Sequence, residues 1–483
     1  MKKNFNWYIL PIFMLFSFWG CQNASKEKAP VDYVNPYMGN ISHLLVPTYP
    51  TVHLPNSMLR VYPERSDFTT DLIAGLPVAV TSHRGSSAFN ISPISGTPEK
   101  TPAIKRYSYD NEKITPYSYS VYLDDENVQV DYAPSHQSGI YTITFEKEDV
   151  NQLIINTRDG RLEQIPTGLT GFQLIDGGPT TIFVYLETEQ PIEKIEKITE
   201  PNQRNDAYAL TFNAKTINLR YGISFIDAEQ AKKNLKREIN TYDVNQIAQA
   251  GRKIWNDALG KIQVSGGCDN AKTVFYTSLY RVYERMINIS EDGRYYSAFD
   301  GQVHEDEGIP FYTDDWIWDT YRAAHPLRAL IDTEKETHMI QSYIRMAQQS
   351  QDGWMPTFPE ITGDSHRMNG NHAVAVIWDA YIKGLRGFDL EAAYKSCRST
   401  MMEKSWLPWV KIPNTEFDTF FHEKGFFPAL RVGEKEYIIG LNSGEKRQPV
   451  AVLMGACYDF WCLSQIAKEL GHEDDYKNFL RKS

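Results

Sequence analysis

The chain changes from strand-type to helix-type periodicity near residue 230, and this change limits the folds that it can adopt. Before it, segments such as "TTIFVYLETEQ" and "INLRYGISFID" cluster or alternate β-branched residues between turn residues, which is typical of short strands. After it, segments such as "DAEQAKKNLKREI" carry apolar residues at helical spacing. The pattern predicts a multidomain β + α protein with an N-terminal β-sandwich followed by helices. At 483 residues the chain is also too long for one ordinary core.

The predicted domains follow this change of pattern. We expect a β-sandwich domain over 31–238, a helical linker over 239–265, and the N-terminal part of an (α/α)6 barrel over 266–483. Helical periodicity occurs near 269–287, 315–332, 335–349, 371–385, 390–403, 447–470 and 473–482, with long loops at 288–314, 351–370 and 404–446. Helical hairpins separated by long loops indicate a toroid whose loops build a pocket. These helices are too few to close a ring of six hairpins, so an incomplete barrel is predicted. Pro326 makes 315–332 either one kinked helix or two pieces.

The N-terminus has the pattern of an export signal. "MKKNFNWYILPIFMLFSFWGCQN" has a basic start, a short apolar stretch and then Gly20-Cys21, which is too short for a transmembrane span. We interpret 1–21 as a bacterial lipoprotein signal in which Cys21 becomes lipidated, and 22–30 as a tether. The alternative is a plain signal peptide with an incidental cysteine. The protein is therefore expected to be exported and anchored to the outer membrane, on its periplasmic or cell-surface side.

Several functional classes are excluded by composition and motif. The net charge of −11 repels phosphate backbones, so no nucleic-acid partner is expected. The chain has no His-Glu-x-x-His, EF-hand, paired-cysteine or Gly-x-Ser-x-Gly motif, so no metal ligand or nucleophilic serine is assigned from motifs. The segment "GGCDNAKT" (266–273) resembles a phosphate loop but lacks its second glycine. The cysteines after Cys21 show no disulfide spacing and are predicted to be buried free thiols.

The first candidate site is "TDDWIWDTYRAAHPL", residues 313–327. Asp314 and Asp315 precede an apolar-periodic run, so we predict that they cap a helix. Asp319 lies a turn too deep to cap and stands beside two tryptophans. It could pair with Arg322 on a solvated face, or accept hydrogen bonds from a sugar whose ring stacks on Trp318.

The second candidate is the segment 351–384, which combines aromatic, carboxylate and imidazole side chains. Its glycines and prolines are compatible with a simple connector. The density of Glu360, His366, Arg367 and His372 instead favours a site for a polar ligand.

On these residues the chain resembles glycoside hydrolase family 92, calcium-dependent exo-α-mannosidases. The most specific matches are "WDTYRAAHPL" (318–327) and "MNGNHAVAVIWDAYIKG" (368–384). Matches to "YVNPYMGN" (33–40), "GGCDNAKTVFYTSLYRVY" (266–283) and the final 458–483 extend the resemblance over most of the chain. One segment departs from it, since "SHRGSSAFNISPISG" (82–96) keeps little of the family's early His- and Ser-rich loop.

The resemblance implies inverting hydrolysis of terminal α-mannosides of glycans by two carboxyl groups, with Ca²⁺ holding the sugar's vicinal hydroxyls. It places Trp318 and Asp319 in the sugar pocket, with Arg322 orienting Asp319, and Glu360 and His372 as further substrate-binding candidates.

The family's acid, base and most calcium ligands belong to motifs expected beyond Ser483. The resemblance therefore covers an N-terminal portion, and this chain by itself is expected to be inactive. Two alternatives remain. One is a surface lipoprotein that binds glycans without cleaving them. The other is a different α/α-barrel enzyme that uses Asp319 or Glu360 in its chemistry.

Overall fold

A computed structural model describes residues 28–41, 48–65, 72–81, 87–95, 104–146, 150–176, 178–200 and 203–483. The predicted signal peptide, Cys21 and most of the tether lie outside the described residues. So do both ends of the segment 82–96, whose middle forms a strand.

The N-terminal part is built of strands, as the alternating pattern predicts. Residues Pro30–Tyr33 form a 3-10 helix before them. The strands are β1 Val52–His53, β2 Arg60–Val61, β3 Leu72–Ala74, β4 Leu76–Val80, β5 Ser87–Ser95, β6 Arg106–Thr115, β7 Ser118–Leu123, β8 Val128–Pro134, β9 Ser138–Phe145, β10 Asn151–Asn156, β11 Gly160–Ile165, β12 Gly168–Leu174, β13 Thr181–Thr188, β14 Lys194–Lys197, β15 Ala207–Phe212 and β16 Thr216–Ser224.

These strands form two antiparallel sheets that pack against each other. The larger has the order β11-β12-β13-β16-β9-β8-β7-β6-β3 and the smaller the order β14-β15-β10-β5-β4. Tyr141 and Tyr221 of the larger sheet donate hydrogen bonds to the carbonyls of Pro77 and Val78 on β4, at 2.6 and 2.7 Å. Apolar side chains from both sheets form one buried core, which supplies the main stabilisation of the sandwich.

The C-terminal part is helical, with short strands in its loops. The helices are α1 Ala228–Glu238, α2 Val244–Leu259, α3 Asp269–Val282, α4 Ile317–Thr320, α5 Ala324–Ile331, α6 Thr333–Gln349, α7 Ala373–Ile382, α8 Leu390–Glu403, α9 Glu416–Lys424, α10 Pro449–Glu469 and α11 Glu473–Leu480. The strands between them are β17 Ile287–Asn288, β18 Arg294–Ser297, β19 Gln302–Glu305, β20 Tyr312–Thr313, β21 Pro359–Glu360 and β22 Gly363–Asp364.

Aspartates start several of these helices by accepting hydrogen bonds from backbone N–H groups, as N-caps do. Asp227 caps α1, Asp243 caps α2 and Asp389 caps α8. Helix α2 is joined to the sandwich by the fully buried Trp255, whose indole N–H donates to the carbonyl of His53 on β1 at 2.7 Å. The two parts therefore share buried contacts close to the candidate site.

Two details differ from the sequence-based expectations. Helix α9 lies within 404–446, where the sequence pattern predicts a loop, and its start is closed by a capping box of Thr415 and Asp418. Cys397 and Cys462 are buried free thiols as predicted, whereas Cys268 is exposed and Cys457 is partly exposed. The segment 315–332 forms two helices, α4 and α5, but the break lies at 321–323 and Pro326 is inside α5.

Helix α10 is apolar over much of its length. Within the described residues it is long and apolar enough to cross a membrane, yet half of its most apolar window is buried in the fold. A core helix of a folded domain has the same properties, and α10 contributes Phe460, Leu463 and Ile466 to the buried core.

Candidate functional site

The segment before α4 does not cap a helix. Helix α4 begins at Ile317, and its N-cap, Trp316, makes no side-chain capping bond. The prediction that Asp314 and Asp315 are caps is therefore wrong, and both carboxylates are instead bound by side chains from other elements.

Asp314 connects the sandwich to the helical part. Its side chain is 3% exposed and forms ion pairs with Arg60 of β2 and with Arg285, each at 2.6 Å. Arg285 also lies over the ring of Trp316, 4.0 Å from its centroid. A carboxylate between two guanidinium groups satisfies the requirement that buried charges be paired, so Asp314 has a structural role.

Asp315 belongs to a buried ionic cluster with His325, Glu336 and Tyr343. Its carboxylate accepts from the hydroxyl of Tyr343 and contacts His325 Nε2 at 3.0 Å, while His325 Nδ1 contacts Glu336 at 2.8 Å. Burial by itself lowers the pKa of His325, but Glu336 and Asp315 together raise it to about 9. Burial likewise opposes ionisation of Asp315, and the charge on His325 lowers its pKa to about 2. The cluster is thus charged at neutral pH and holds the residues just before α4 against α5 and α6.

A second group of contacts, around the ring of Tyr321, includes three of the predicted residues. Arg322 is exposed and lies over the rings of Trp318 and Tyr321, at 4.9 and 5.5 Å. His372 stacks on Tyr321 with ring centroids 4.0 Å apart. The indole N–H of Trp318 donates to Asn369 at 3.3 Å. Trp318, Arg322 and His372 are therefore brought together around Tyr321.

The carboxyl of Asp319 makes no hydrogen bond or ion pair within the described residues. The predicted pairing with Arg322 is not formed, because Arg322 lies over the aromatic rings instead. Asp319 as a whole residue is exposed to solvent. Partial burial of its carboxyl nevertheless raises the pKa of that group, and the charge of Asp315 raises it further. Arg322 and Arg285 oppose it, so Arg322 acts on Asp319 only through its charge.

Glu360 lies on β21, which packs against the start of the same segment. The backbone N–H of Asp315 donates to the carbonyl of Pro359 at 2.8 Å, and Thr313 Oγ1 donates to the carbonyl of Glu360 at 3.2 Å. The Glu360 carboxylate pairs with Arg367 at 3.1 Å and is 13% exposed. Burial raises its pKa. The positive charge of Arg285 works to lower the pKa of both Glu360 and Asp319. The site therefore holds two carboxyl groups near one guanidinium.

His372 is held by an acid that the sequence did not identify. Its Nδ1 contacts Asp459 of α10 at 2.8 Å, and the other oxygen of Asp459 accepts from the backbone N–H of Asn371 at 2.8 Å. Gly370, at a φ of 88°, lies so close that an added Cβ would be 2.5 Å from His372 Nε2. The imidazole orientation is therefore fixed by Asp459 on one side and by a glycine on the other.

The described residues do not fit the calcium site that the family resemblance implies. Calcium takes six to eight oxygen ligands, several of them carboxylates. No group of three or more His, Cys, Asp or Glu side chains that could hold a metal ion occurs in the described part of the chain. No chemical step at this site is therefore assigned to a metal ion.

The sequence pattern did not identify two residues of this site, Arg285 and Asp459, because their partners are distant in sequence. Arg285 follows α3, and nothing in its local pattern indicates an ion pair with Asp314. Asp459 carried one usable signal, since it is an acid inside an otherwise apolar helix. Such an acid is usually paired when it is buried.

Both parts of the chain have counterparts among known proteins. The profile described as "Glycosyl hydrolase family 92 N-terminal domain" matches residues 33–224, and that described as "Glycosyl hydrolase family 92 catalytic domain" matches residues 230–483. A curated protein from Arthroderma benhamiae, described as an uncharacterized secreted glycosidase, is 22% identical over 265 residues. These cover 54% of this chain and 29% of that protein.

Solved structures give the same result for the fold. A family GH92 inverting mannosidase from Bacteroides thetaiotaomicron is similar with a TM-score of 0.83 and 25% identity, covering 95% of this chain and 64% of that one. A GH92 α-mannosidase from the same organism has a TM-score of 0.81 and 22% identity, covering 94% and 65%. The chain thus spans less than two thirds of the length of each of these relatives. The prediction of a β-rich part followed by a helical part is confirmed.

Proposed function

The chain belongs to glycosyl hydrolase family 92, and from this premise we propose that the protein hydrolyses terminal α-mannosides of glycans with inversion of configuration. The similarity to an inverting mannosidase supports the reaction class. The observation that carries the proposal is the carboxyl of Asp319, which makes no hydrogen bond or ion pair within the described residues and directly follows the half-buried Trp318 in sequence. A free acceptor and an indole in the same short helix suit a sugar, whose hydroxyls can donate to the acceptor while its CH face packs on the ring.

The other predicted residues take supporting roles in this proposal. Arg322 and His372 border the sugar beside Tyr321. Arg322 can donate hydrogen bonds to the sugar hydroxyls, and His372, whose Nδ1 is bound to Asp459, can accept one at Nε2. Glu360, whose carboxylate pairs with Arg367 at 3.1 Å, is proposed as a further substrate-binding residue. We further propose that the helices belong to an (α/α)6 barrel of which this chain holds a part.

The chain spans less than two thirds of the length of its structural relatives, and binding of the terminal mannoside at Trp318 and Asp319 is the step that we propose for the described residues. Glycan capture without cleavage, one of the alternatives that the sequence leaves open, would use the same residues, and a hydrolysis assay separates it from the enzyme.

We also propose export and lipid anchoring through Cys21. The support is the N-terminal sequence pattern together with a relative described as secreted. Cys21 itself lies outside the described residues.

The proposed function is tested by calorimetric titration with methyl α-mannoside, using methyl α-glucoside and methyl α-galactoside as stereochemical controls. Hydrolysis of an aryl α-mannoside is measured in parallel, with and without calcium. We expect binding that prefers the mannoside. Equal binding of the three sugars, or no binding at all, would refute the proposed substrate class. Hydrolysis of the aryl α-mannoside would support the enzyme, whereas binding without hydrolysis would support glycan capture.

A further inference from the structure

A small buried cavity lies beside Asn369, which lines it and accepts the hydrogen bond of the Trp318 indole. Asn371, which precedes His372, and Lys404, after α8, also line this cavity. The remaining lining residues are Thr357, His366, Met368, Gly370, Ser405, Trp406, Leu407 and Val410.

Lys404 is a buried cation without a direct partner. The residue is 6% exposed, and among the described residues its ammonium group forms no ion pair or hydrogen bond. The charge of Asp364 is near enough to favour the charged form of Lys404 and so to oppose the lowering of its pKa. The carboxylate of Asp364, however, is occupied by the backbone N–H groups of Thr357, Phe358 and His366, at 2.8 to 3.0 Å. Burial lowers the pKa of Lys404 to about 8, as expected for an ammonium group removed from water.

The same cavity has an unsatisfied acceptor. The side-chain oxygen of Asn371 is buried and makes no hydrogen bond. An orphaned buried acceptor and an unpaired buried ammonium are each costly to leave without a partner. One group that both accepts and donates would satisfy the two together.

The size and polarity of the cavity restrict what that group can be. About 10 Å³ of space is open to a water-sized group, which suffices for one water molecule or one hydroxyl. A carboxylate or phosphate oxygen would accept from Lys404 but could not donate to Asn371, and its bulk would not fit. A hydroxyl satisfies both residues and can be carried by a sugar ring bound against Trp318.

We propose that Lys404 and Asn371 form a hydroxyl-binding subsite, in which one hydroxyl of the bound hexose accepts from the Lys404 amine and donates to Asn371. This inference rests on the proposed function, since it assumes that a hexose binds beside Trp318. The two residues would thereby determine specificity, because a sugar without that hydroxyl leaves both of them without a partner.

The test combines sugar analogues with variants. The parent methyl α-mannoside and its 2-, 3-, 4- and 6-deoxy analogues are titrated into the wild-type chain and into Lys404→Met. We expect one analogue to bind the wild type about 10- to 100-fold more weakly than the parent, as for loss of a charged hydrogen bond. In Lys404→Met that difference should shrink to within about 3-fold, because the hydroxyl has lost its main partner. The matched control is Lys411→Met, which removes a partly exposed lysine paired with Asp352 and should behave as the wild type.

The outcomes separate this inference from the proposed function. If the wild type binds no mannoside, both fail. If it binds, but every deoxy analogue keeps its relative affinity in Lys404→Met, only the subsite is refuted and the cavity holds a structural water. Should Lys404→Met not fold, as judged by circular dichroism, the same comparison in Asn371→Ala decides, with the same two results.

Discussion

Replacing Asp314 by Asn is predicted to destabilise the protein far more than the same change at Asp319, five residues away. Asp314 neutralises Arg60 and Arg285 at 2.6 Å with 3% of its side chain exposed. The amide of Asn carries no charge, so the variant leaves two guanidinium groups buried beside an uncharged partner. Removing one partner of a buried ion pair costs about 3–5 kcal/mol, and we expect a loss in this range. A simple helix cap would lose about 1 kcal/mol.

The matched variant is Asp319→Asn, because this residue is exposed and its carboxyl makes no ion pair with any residue that the structure describes. Its effect on stability should lie within about 0.5 kcal/mol. Both variants are measured by urea unfolding, followed by ellipticity at 222 nm and by tryptophan fluorescence, with unfolding free energies from linear extrapolation. Equal destabilisation by the two variants, or a loss of only about 1 kcal/mol at Asp314, would show that the connection between the sandwich and the helical part is not held by this ion pair.

The remaining predictions concern binding, pH and anchoring. Asp319→Asn should weaken mannoside binding at least about 10-fold in calorimetry, because a charged acceptor is lost, while the fold persists. Asp459→Asn should weaken the same binding, because the His372 ring loses the carboxylate that fixes its orientation. Retention of wild-type affinity would show that the contact between His372 and Asp459 does not contribute to sugar binding. The folded-state pKa of His325 is about 9 against an ordinary value of 6.5, so its contribution is complete below pH 6.5 and lost as pH rises through 9. The stability of the wild type relative to His325→Gln should therefore fall by about 3 kcal/mol over that range, as measured by urea titrations of both proteins at each pH. Cys21→Ser should abolish incorporation of labelled fatty acid and release the protein from the membrane fraction; unchanged fractionation would exclude the lipid anchor.

The architecture was predictable because it depends on local periodicity. The alternation in 180–190 and 217–227 is read from neighbouring residues, and both segments lie in strands. Helices α6, α8 and α11 likewise start within two residues of their predicted positions. Helix α9 was missed because it is short and surrounded by long irregular segments, where its signal is weak.

The candidate site was only partly predictable, because long-range contacts decide the role of each acid. Asp314, Asp315 and Asp319 stand close together in sequence, yet Asp314 pairs with Arg60 and Asp315 with His325. Asp319 pairs with none of the residues in the described part of the chain. No local rule distinguishes these three environments. The aromatic side chains and His372 were found through composition and motif, whereas Asp459 lies 87 residues from His372 and required the fold.

The central claim is that a mannoside binds beside Trp318 and Asp319, and a crystal structure of the chain with methyl α-mannoside tests it most directly. The account predicts the sugar ring packed on the indole of Trp318, with hydroxyls donating to Asp319 and one hydroxyl directed between Lys404 and Asn371. A sugar bound only in another depression, such as the one lined by 429–449, with Trp318 and Asp319 left in contact with solvent, would contradict it.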